Sequence, residues 1–226
     1  MKHSRPPALD LEAFSEALES VVETRLSVSV LHALHAHYSE LRRWSTTTSL
    51  IGPGTVEQTL ERHYAESVMG LELVGPDPAT LVDVGSGGGF PGFVLAALLA
   101  PATKAYLIDS KQRKVAFLQS AARCAGLDLV CVHGRVDESL PLGLPPRIDL
   151  LTLRAVRLSS AAWRALVDRL SEDGRVLCWT SRRALESPDL GGLPDLRSLD
   201  LTELERRQVE GSDGRAIVAL GRSKSR

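Results

Sequence analysis

Leu81-Val82-Asp83-Val84-Gly85-Ser86-Gly87-Gly88-Gly89-Phe90-Pro91-Gly92-Phe93 is the stretch from which the rest of the chain is read. Its first four residues form a short apolar run with β-branched side chains, which predicts a buried strand. Glycines follow, and Phe93 to Ala100 resumes as an apolar helix. A strand, a glycine turn and a helix bring a ligand's polar groups against main-chain N–H groups without Cβ interference. A second apolar run, Ala105-Tyr106-Leu107-Ile108, ends in Asp109, 24 residues after Gly85. A carboxylate at the end of the second strand suits the two hydroxyls of a ribose. The nucleoside of a cofactor is therefore expected between the glycine turn and Asp109.

The glycine spacing selects among cofactors. A dinucleotide fingerprint places its third glycine three residues after the second. Here Gly85, Gly87 and Gly89 alternate, and that position carries Phe90. Asp83 also lies at the end of the first strand. The combination resembles motif I of S-adenosyl-L-methionine (AdoMet) methyltransferases and not a pyrophosphate site.

Outward from the turn the pattern is strand and helix in alternation, the mark of an α/β fold with a parallel sheet. The expected elements are strand 81–84, helix 91–100, strand 104–108, helix 111–125, strand 129–133, strand 148–153, helix 159–170 and strand 175–179. Two apolar stretches, about 196–204 and 215–220, frame Gly211-Ser212-Asp213-Gly214 and read as an antiparallel pair closing the sheet. Five parallel strands plus a terminal hairpin is a Rossmann-like plan. Ahead of it, residues 1–78 read as a helical extension to a cofactor-binding domain over 79–226. Leu9, Leu11, Phe14, Leu18, Val21 and Val22 recur at helical spacing, and a second helix is expected from Ser29 to about Trp44. Thr55 is expected to cap a third helix running to Leu73.

Composition is that of an ordinary globular protein, 43% hydrophobic and 24% charged. No run approaches the roughly 18 apolar residues of a membrane span, and Met1-Lys2-His3-Ser4-Arg5-Pro6-Pro7 has no apolar core behind it. A cytoplasmic monomer without membrane attachment is expected. Cys124, Cys131 and Cys178 show no paired spacing and read as buried thiols, with neither a disulfide nor a zinc site. His32, His35 and His37 point different ways on their helix and read as solvated residues, so no metal is expected. Net charge is −1, but unevenly spread. Residues 1–79 hold 6 Lys/Arg against 11 Asp/Glu, and the remainder holds 21 against 17. The positive half carries the cofactor turn, which fits an anionic substrate.

Further along, Val136-Asp137 follows the third strand, where an adenine is flanked and its exocyclic amine met by a carboxylate; Asp137 also reads as a helix cap. After the fourth strand comes Thr152-Leu153-Arg154-Ala155-Val156-Arg157. It lacks the Asn/Asp-Pro-Pro-Tyr/Phe tetrapeptide of amino-group methylation and the Pro-Cys nucleophile of pyrimidine C5 chemistry. Arg154 instead offers planar donors to a carboxylate, a phosphate or the O6/N7 edge of guanine; it also reads as a plain salt-bridge partner. Guanine N7 has its lone pair free, so transfer there needs in-line placement and no general base. Arg157, Arg164, Arg182 and Arg183 could extend a phosphate-binding surface or be ordinary surface charge.

These residues carry a family resemblance. Asp83-Val-Gly-Ser-Gly-Gly-Gly-Phe-Pro-Gly92, Leu107-Ile-Asp-Ser-Lys-Gln-Arg-Lys-Val-Ala-Phe-Leu118, His133-Gly-Arg-Val-Asp-Glu138 and Leu153-Arg-Ala155 resemble the RsmG (GidB) family of bacterial methyltransferases. Leu41-Arg-Arg-Trp44 and Glu61-Arg-His-Tyr-Ala-Glu-Ser67 sit where that family has its N-terminal helical motifs. The resemblance implies methyl transfer from AdoMet to guanine N7 of 16S ribosomal RNA, as bare RNA or in the 30S particle. It implies cofactor contacts at Gly85, Phe90, Val136-Asp137 and Arg154. With Asp83, Ser86, Gly87, Gly89 and Asp109, these make the expected site, and Arg154 is the expected catalytic residue. The chain departs from the family pattern at Ser45-Thr-Thr-Thr-Ser-Leu50, at Glu66 where Asp is usual, and at Trp179-Thr180-Ser181 where a Lys-Gly is usual. The competing expectations are another acceptor for the same cofactor, a non-catalytic RNA-binding relative and, more distantly, a nicotinamide-dependent oxidoreductase.

Overall fold

The computed structural model describes residues 5–137, 139–182, 184, 193, 195–212 and 214–223. Glu138, Arg183 and Asp213 of the expectations above, and most of the Pro/Gly-rich stretch 185–195, lie outside the described residues. Two helices open the chain, α1 (Leu11–Val22) and α2 (Val28–Trp44). Asp10 caps the first by accepting from Ala13 N–H, and Ser27 caps the second through Val30 N–H. A helical run then takes three pitches in turn: a π turn over Leu60–Ala65, α3 (Glu66–Met69) and a 3-10 turn over Gly70–Leu73. Thr55 does not cap it. Thr55 ends a separate 3-10 turn, and its hydroxyl bonds the Gly52 carbonyl and the His63 ring.

The α/β part follows as β1 (Thr80–Val84), α4 (Gly92–Leu99), β2 (Lys104–Asp109), α5 (Gln112–Ala125), β3 (Leu129–His133), β4 (Ile148–Arg154), α6 (Ser160–Val167), β5 (Leu170–Ser181), β6 (Leu201–Gln208) and β7 (Arg215–Arg222). The sheet order is β3-β2-β1-β4-β5-β7-β6. Strands β1 to β5 are parallel, and β7 pairs antiparallel with both β5 and β6. This is the expected Rossmann-like plan. Helix α6 ends earlier than its apolar pattern predicted, because Leu170 already pairs with Ile148 in β5. The irregularity between Ile148 and Leu150 lets Ser171 to Gly174 bulge before pairing resumes at Arg175.

Strand alternation divides the core. Val82, Val84, Leu151 and Leu153 face α6 through Trp163 and Leu166. On the other face, Leu81, Ala105, Leu150 and Leu177 meet Leu95 and Ala96 of α4. The N-terminal helices add a further layer, in which Phe14, Leu34, Tyr38 and Leu41 pack with Phe93, Phe117 and Leu118. His37 is fully buried in that layer, contrary to the solvated reading, while His32 is exposed and His35 bonds the Leu9 carbonyl. Its spacing of three from Leu34 and four from Leu41 places it on the packed face. Cys178 is buried as expected, but Cys124 is exposed on α5. Strand order reverses between β1 and β4, and the crevice over the carboxyl ends there is where open α/β sheets take ligands.

Candidate active site

At the carboxyl end of β1 the chain turns through Gly85, Gly87 and Gly89, with φ of 71°, 55° and 89°. Only glycine holds that left-handed alternation without strain. The turn is tied to β2 at two points. Ser86 N–H donates to the Ile108 carbonyl at 2.9 Å, and Gly87 N–H donates to Asp109 Oδ2 at 2.9 Å. Asp109 Oδ1 accepts from Lys111 N–H at 2.8 Å. Each carboxylate oxygen retains acceptor capacity beyond its one bond, so this acid holds the turn and can still meet hydroxyls.

Asp83 lies beneath the turn, 1% exposed. Its Oδ1 accepts from the Thr152 hydroxyl at 2.6 Å, joining β1 to β4 at the point of order reversal. Its Oδ2 is buried without a partner among the described residues. Burial pushes its carboxyl up to about 6, against the Thr152 hydrogen bond that favours the charge. A Cβ on Gly92 would sit 2.5 Å from Asp83 Oδ2, so only glycine fits where helix α4 begins.

The other glycines make room for the protein and not for open space. A Cβ on Gly85 would meet Val156 Cγ2 at 2.4 Å, one on Gly88 the Leu50 carbonyl oxygen at 2.8 Å, and one on Gly89 His37 Nε2 at 2.6 Å. Gly87 alone has space, with Lys114 Nζ 3.7 Å from that point. Phe90 is buried too. Its ring stacks on His63 at 5.0 Å and meets Tyr64 and His37 edge-on. The expected residues Gly85, Ser86, Gly87, Gly89 and Phe90 therefore share one turn, with Asp83 of β1 beneath it and Asp109 of β2 bonded to it, but N-terminal side chains pack into it.

After β3, Val136 is buried and Asp137 is exposed. Asp137 Oδ1 accepts from Ser139 N–H and hydroxyl at 3.0 and 3.2 Å, which makes a local turn and not the cap of a helix. Across the crevice, Arg154 ends β4, and Ala155 follows with φ of 54°, an uncommon conformation for a residue with a Cβ. Arg154 Nη2 donates to the Arg62 carbonyl at 2.6 Å and to Glu66 Oε2 at 2.8 Å. Its Nη1 is buried without a partner among the described residues. Glu66 also pairs with Arg215, and its carbonyl accepts from Trp179 Nε1 at 2.8 Å. Arg154 is thus part of a buried ion cluster and not a surface pair. Arg157, Arg164 and Arg182 are exposed.

His37, Arg62, Lys114 and Arg215 were missed from the sequence. His37 carried a readable signal in its spacing, and Arg62 lies in the quoted 61–67 motif. Arg215 carried none, because its approach to Glu66 depends on β7 lying beside β5.

An AdoMet molecule fits this donor set. Asp109 has acceptor capacity to spare, Asp83 Oδ2 is an unsatisfied acid under the turn, and Arg154 Nη1 is an unsatisfied donor opposite. The residues offer opposite charges to an amino-acid tail and acceptors to a sugar.

Residues 30–187 match the family model of rRNA small subunit methyltransferase G (GidB). The chain is 32% identical over 166 residues to the ribosomal RNA small subunit methyltransferase G of Paramagnetospirillum magneticum, covering 74% of this chain and 78% of that one. It is 35% identical to the protein of the same name from Granulibacter bethesdensis, covering 67% and 68%. Among solved structures it is similar to a SAM-dependent methyltransferase from Aquifex aeolicus, with a TM-score of 0.56 at 18% identity, covering 72% of this chain and 92% of that one. At that identity the likeness speaks for the fold. Sequence, fold and donor set agree: the chain belongs to the rRNA small subunit methyltransferase G family and is an AdoMet-dependent rRNA methyltransferase.

Proposed function

We propose that the acceptor is N7 of a guanine in 16S ribosomal RNA, as bare RNA or in the 30S particle, and that the chain acts as a cytoplasmic monomer. Residues 1–78 would serve as the helical extension and 79–226 as the cofactor domain. The observation that carries the reading is the Gly87 N–H to Asp109 Oδ2 bond at the carboxyl edge, with Arg154 across the crevice on β4.

Asp109 would hold the ribose hydroxyls, and the main chain of Gly85, Ser86, Gly87, Gly89 and Phe90 would line the amino-acid tail. Val136 would flank the adenine, with Asp137 at its exocyclic amine. When bound, AdoMet supplies an electrophilic methyl group on a sulfonium. Asp83 keeps the turn joined to β4 through Thr152. Arg154 would direct its Nη1, unpaired among the described residues, to the cofactor carboxylate or to guanine O6, and so fix the base relative to the donor.

No proton has to leave N7 before it attacks, so the site needs placement more than a base. His63 suits that role division, since burial first and then Arg154, Arg62 and Arg215 lower it to about 3 and keep it neutral. The test is incubation with methyl-labelled AdoMet and either 16S rRNA or 30S particles, followed by strand cleavage at N7-methylguanine. Label in RNA with a discrete cleavage product supports the reading. AdoMet binding with no label in either RNA overturns it.

A further inference from the structure

Three arginines converge on one buried carboxylate. Glu66 Oε2 takes Arg154, Oε1 takes Arg215, and Arg62 Nε stands 3.9 Å from Oε1, beyond hydrogen-bond range. The Glu66 side chain is 5% exposed, whereas those of Arg154, Arg215 and Arg62 are 16%, 24% and 34% exposed. The cluster thus grades from a sealed acid to a partly open guanidinium. Among the described residues, Arg62 Nε and Arg154 Nη1 are buried donors with no partner.

A single carboxylate leaves this group with excess positive charge in a poorly solvated place, and such an arrangement is costly unless another anion joins it. His63 responds to the same field. After burial, the three guanidiniums are the causes that hold its pKa near 3.

The sheet explains the convergence. Arg154 lies opposite Trp179 on β5, and Trp179 lies opposite Ile217 on β7. Arg215 is two residues from Ile217, so it shares that face. Both arginines therefore point to the side where Trp179 bonds the Glu66 carbonyl. Arg62 enters from the π turn just ahead of α3. The cluster stands at the carboxyl end of β4 and the end of β5, on the far side of the crevice from Asp109. Arg182, which follows β5 and donates its N–H to the Gly214 carbonyl at 2.6 Å, and Arg157 beyond β4 are exposed cations nearby in the chain.

We propose that Arg62 and Arg215, oriented around Glu66, hold a phosphodiester of the acceptor RNA next to the base presented at Arg154. The inference rests on the acceptor proposed above. A phosphodiester offers two unesterified oxygens, which match the forked donors of guanidinium groups. The exposed Arg182, next to the Ser181 that pairs with Arg215, adds a further cation that a strand of phosphates would use and a small free anion would not need. Glu66 serves as the counter-charge that keeps the arginines in place before RNA arrives, and Arg62 is the one with its guanidinium least engaged.

The test measures 16S rRNA binding by the full chain across a salt series, for the native protein, Arg62→Gln, Arg62→Lys and Arg25→Gln. Arg25, 93% exposed in the connection between α1 and α2, is the control. Arg62→Gln is expected to bind RNA about tenfold more weakly near 0.1 M salt, with the slope of log K against log salt reduced by roughly 0.7 to 1. Arg62→Lys is expected to recover the slope but only part of the affinity. Arg25→Gln should match the native chain, and AdoMet affinity should be the same in all four. Native affinity and slope in Arg62→Gln would overturn the phosphate contact while leaving the acceptor reading intact. Failure of the native chain to bind the RNA at any salt would overturn both.

Discussion

His37 Nε2 lies 3.0 Å from the Gly88 carbonyl oxygen, which ties helix α2 directly to the glycine turn. A carbonyl only accepts, so Nε2 carries the proton, and Nδ1 accepts from the Tyr64 hydroxyl at 2.6 Å. Burial lowers the pKa of this ring to about 3, so it is neutral and its tautomer is set by its two partners. The N-terminal helices are therefore structural supports of the glycine turn proposed to hold the cofactor. His37→Ala should cost about 2–4 kcal/mol, from a cavity and an unsatisfied carbonyl. It should also weaken AdoMet binding about tenfold in the protein that remains folded. Leu34→Ala, on the same buried face, should cost similar stability yet leave AdoMet affinity unchanged. Urea unfolding and calorimetry on both variants separate the two effects, and equal AdoMet affinity in both would remove His37 from the site.

Two glycines of the turn should respond differently to a methyl group. Gly89→Ala places Cβ 2.6 Å from His37 Nε2 at a φ of 89°, and should destabilise by about 2–3 kcal/mol. Gly87→Ala has φ of 55° and no neighbour inside 3.6 Å, so about 1 kcal/mol of backbone strain is expected. Adding His37→Ala to Gly89→Ala should give a combined loss smaller than the two single losses together. Additive losses in chemical denaturation would show that the collision does not govern this site.

Glu66→Gln leaves three guanidiniums without their carboxylate. Loss of one partner of a buried ion cluster costs roughly 3–5 kcal/mol. In preparations that fold, Arg154 loses the group that directs it, so KM for AdoMet should rise more than kcat falls. Trp179→Phe, which removes the bond to the Glu66 carbonyl and leaves a cavity beside Gly70 but keeps the carboxylate, should cost about 2–3 kcal/mol and leave KM unaffected. Steady-state methylation kinetics with both variants test this, and an unaltered KM in Glu66→Gln would detach the cluster from the cofactor.

Acid should destabilise the fold before ordinary carboxylates titrate. His37 and His63 have folded pKa values near 3 against 6.5 in the unfolded chain, so the unfolded state binds more protons below about pH 6.5. Their contribution is constant above that pH and falls as pH drops toward 3. Asp83 acts in the opposite direction. Its folded pKa of about 6 exceeds the ordinary 3.8, so acidification between those values favours the folded chain. Two protons against one leave a net slope of about 1.4 kcal/mol per pH unit between pH 6 and 4. Urea midpoints at pH 7, 6 and 5 should show stability falling over the lower interval, and a flat profile would contradict the buried neutral histidines.

The parallel strands β1 to β4 were legible because each is a short apolar run, and because alternation with helices allows few arrangements. Asp109 and the glycine turn were legible for the same reason: their roles follow from position at strand ends. Strand β6 (Leu201–Gln208) was placed too early, at 196–204, because it is a polar, exposed edge strand and Arg197–Leu199 ahead of it is a 3-10 turn. The purpose of the glycines was only partly legible. Gly88 and Gly89 make room for Leu50 and His37, which are remote in the chain, so no local pattern states it. The Glu66 cluster draws on the helical run, β4, β5 and β7, and such convergence is fixed by tertiary packing. Helix α6 was read too long because Leu170 continues an apolar periodicity that strand pairing overrides.

The most direct measurement is calorimetric titration of AdoMet into the native chain and into Asp109→Ala. The native chain should bind one equivalent, and the variant should lose at least about a hundredfold in affinity. That loss combines the sugar's acceptor with the Gly87 anchor, each a charged hydrogen bond worth about 1.5–3 kcal/mol. Native-like affinity in a folded Asp109→Ala protein would contradict a cofactor seated over the carboxyl ends of β1 and β2.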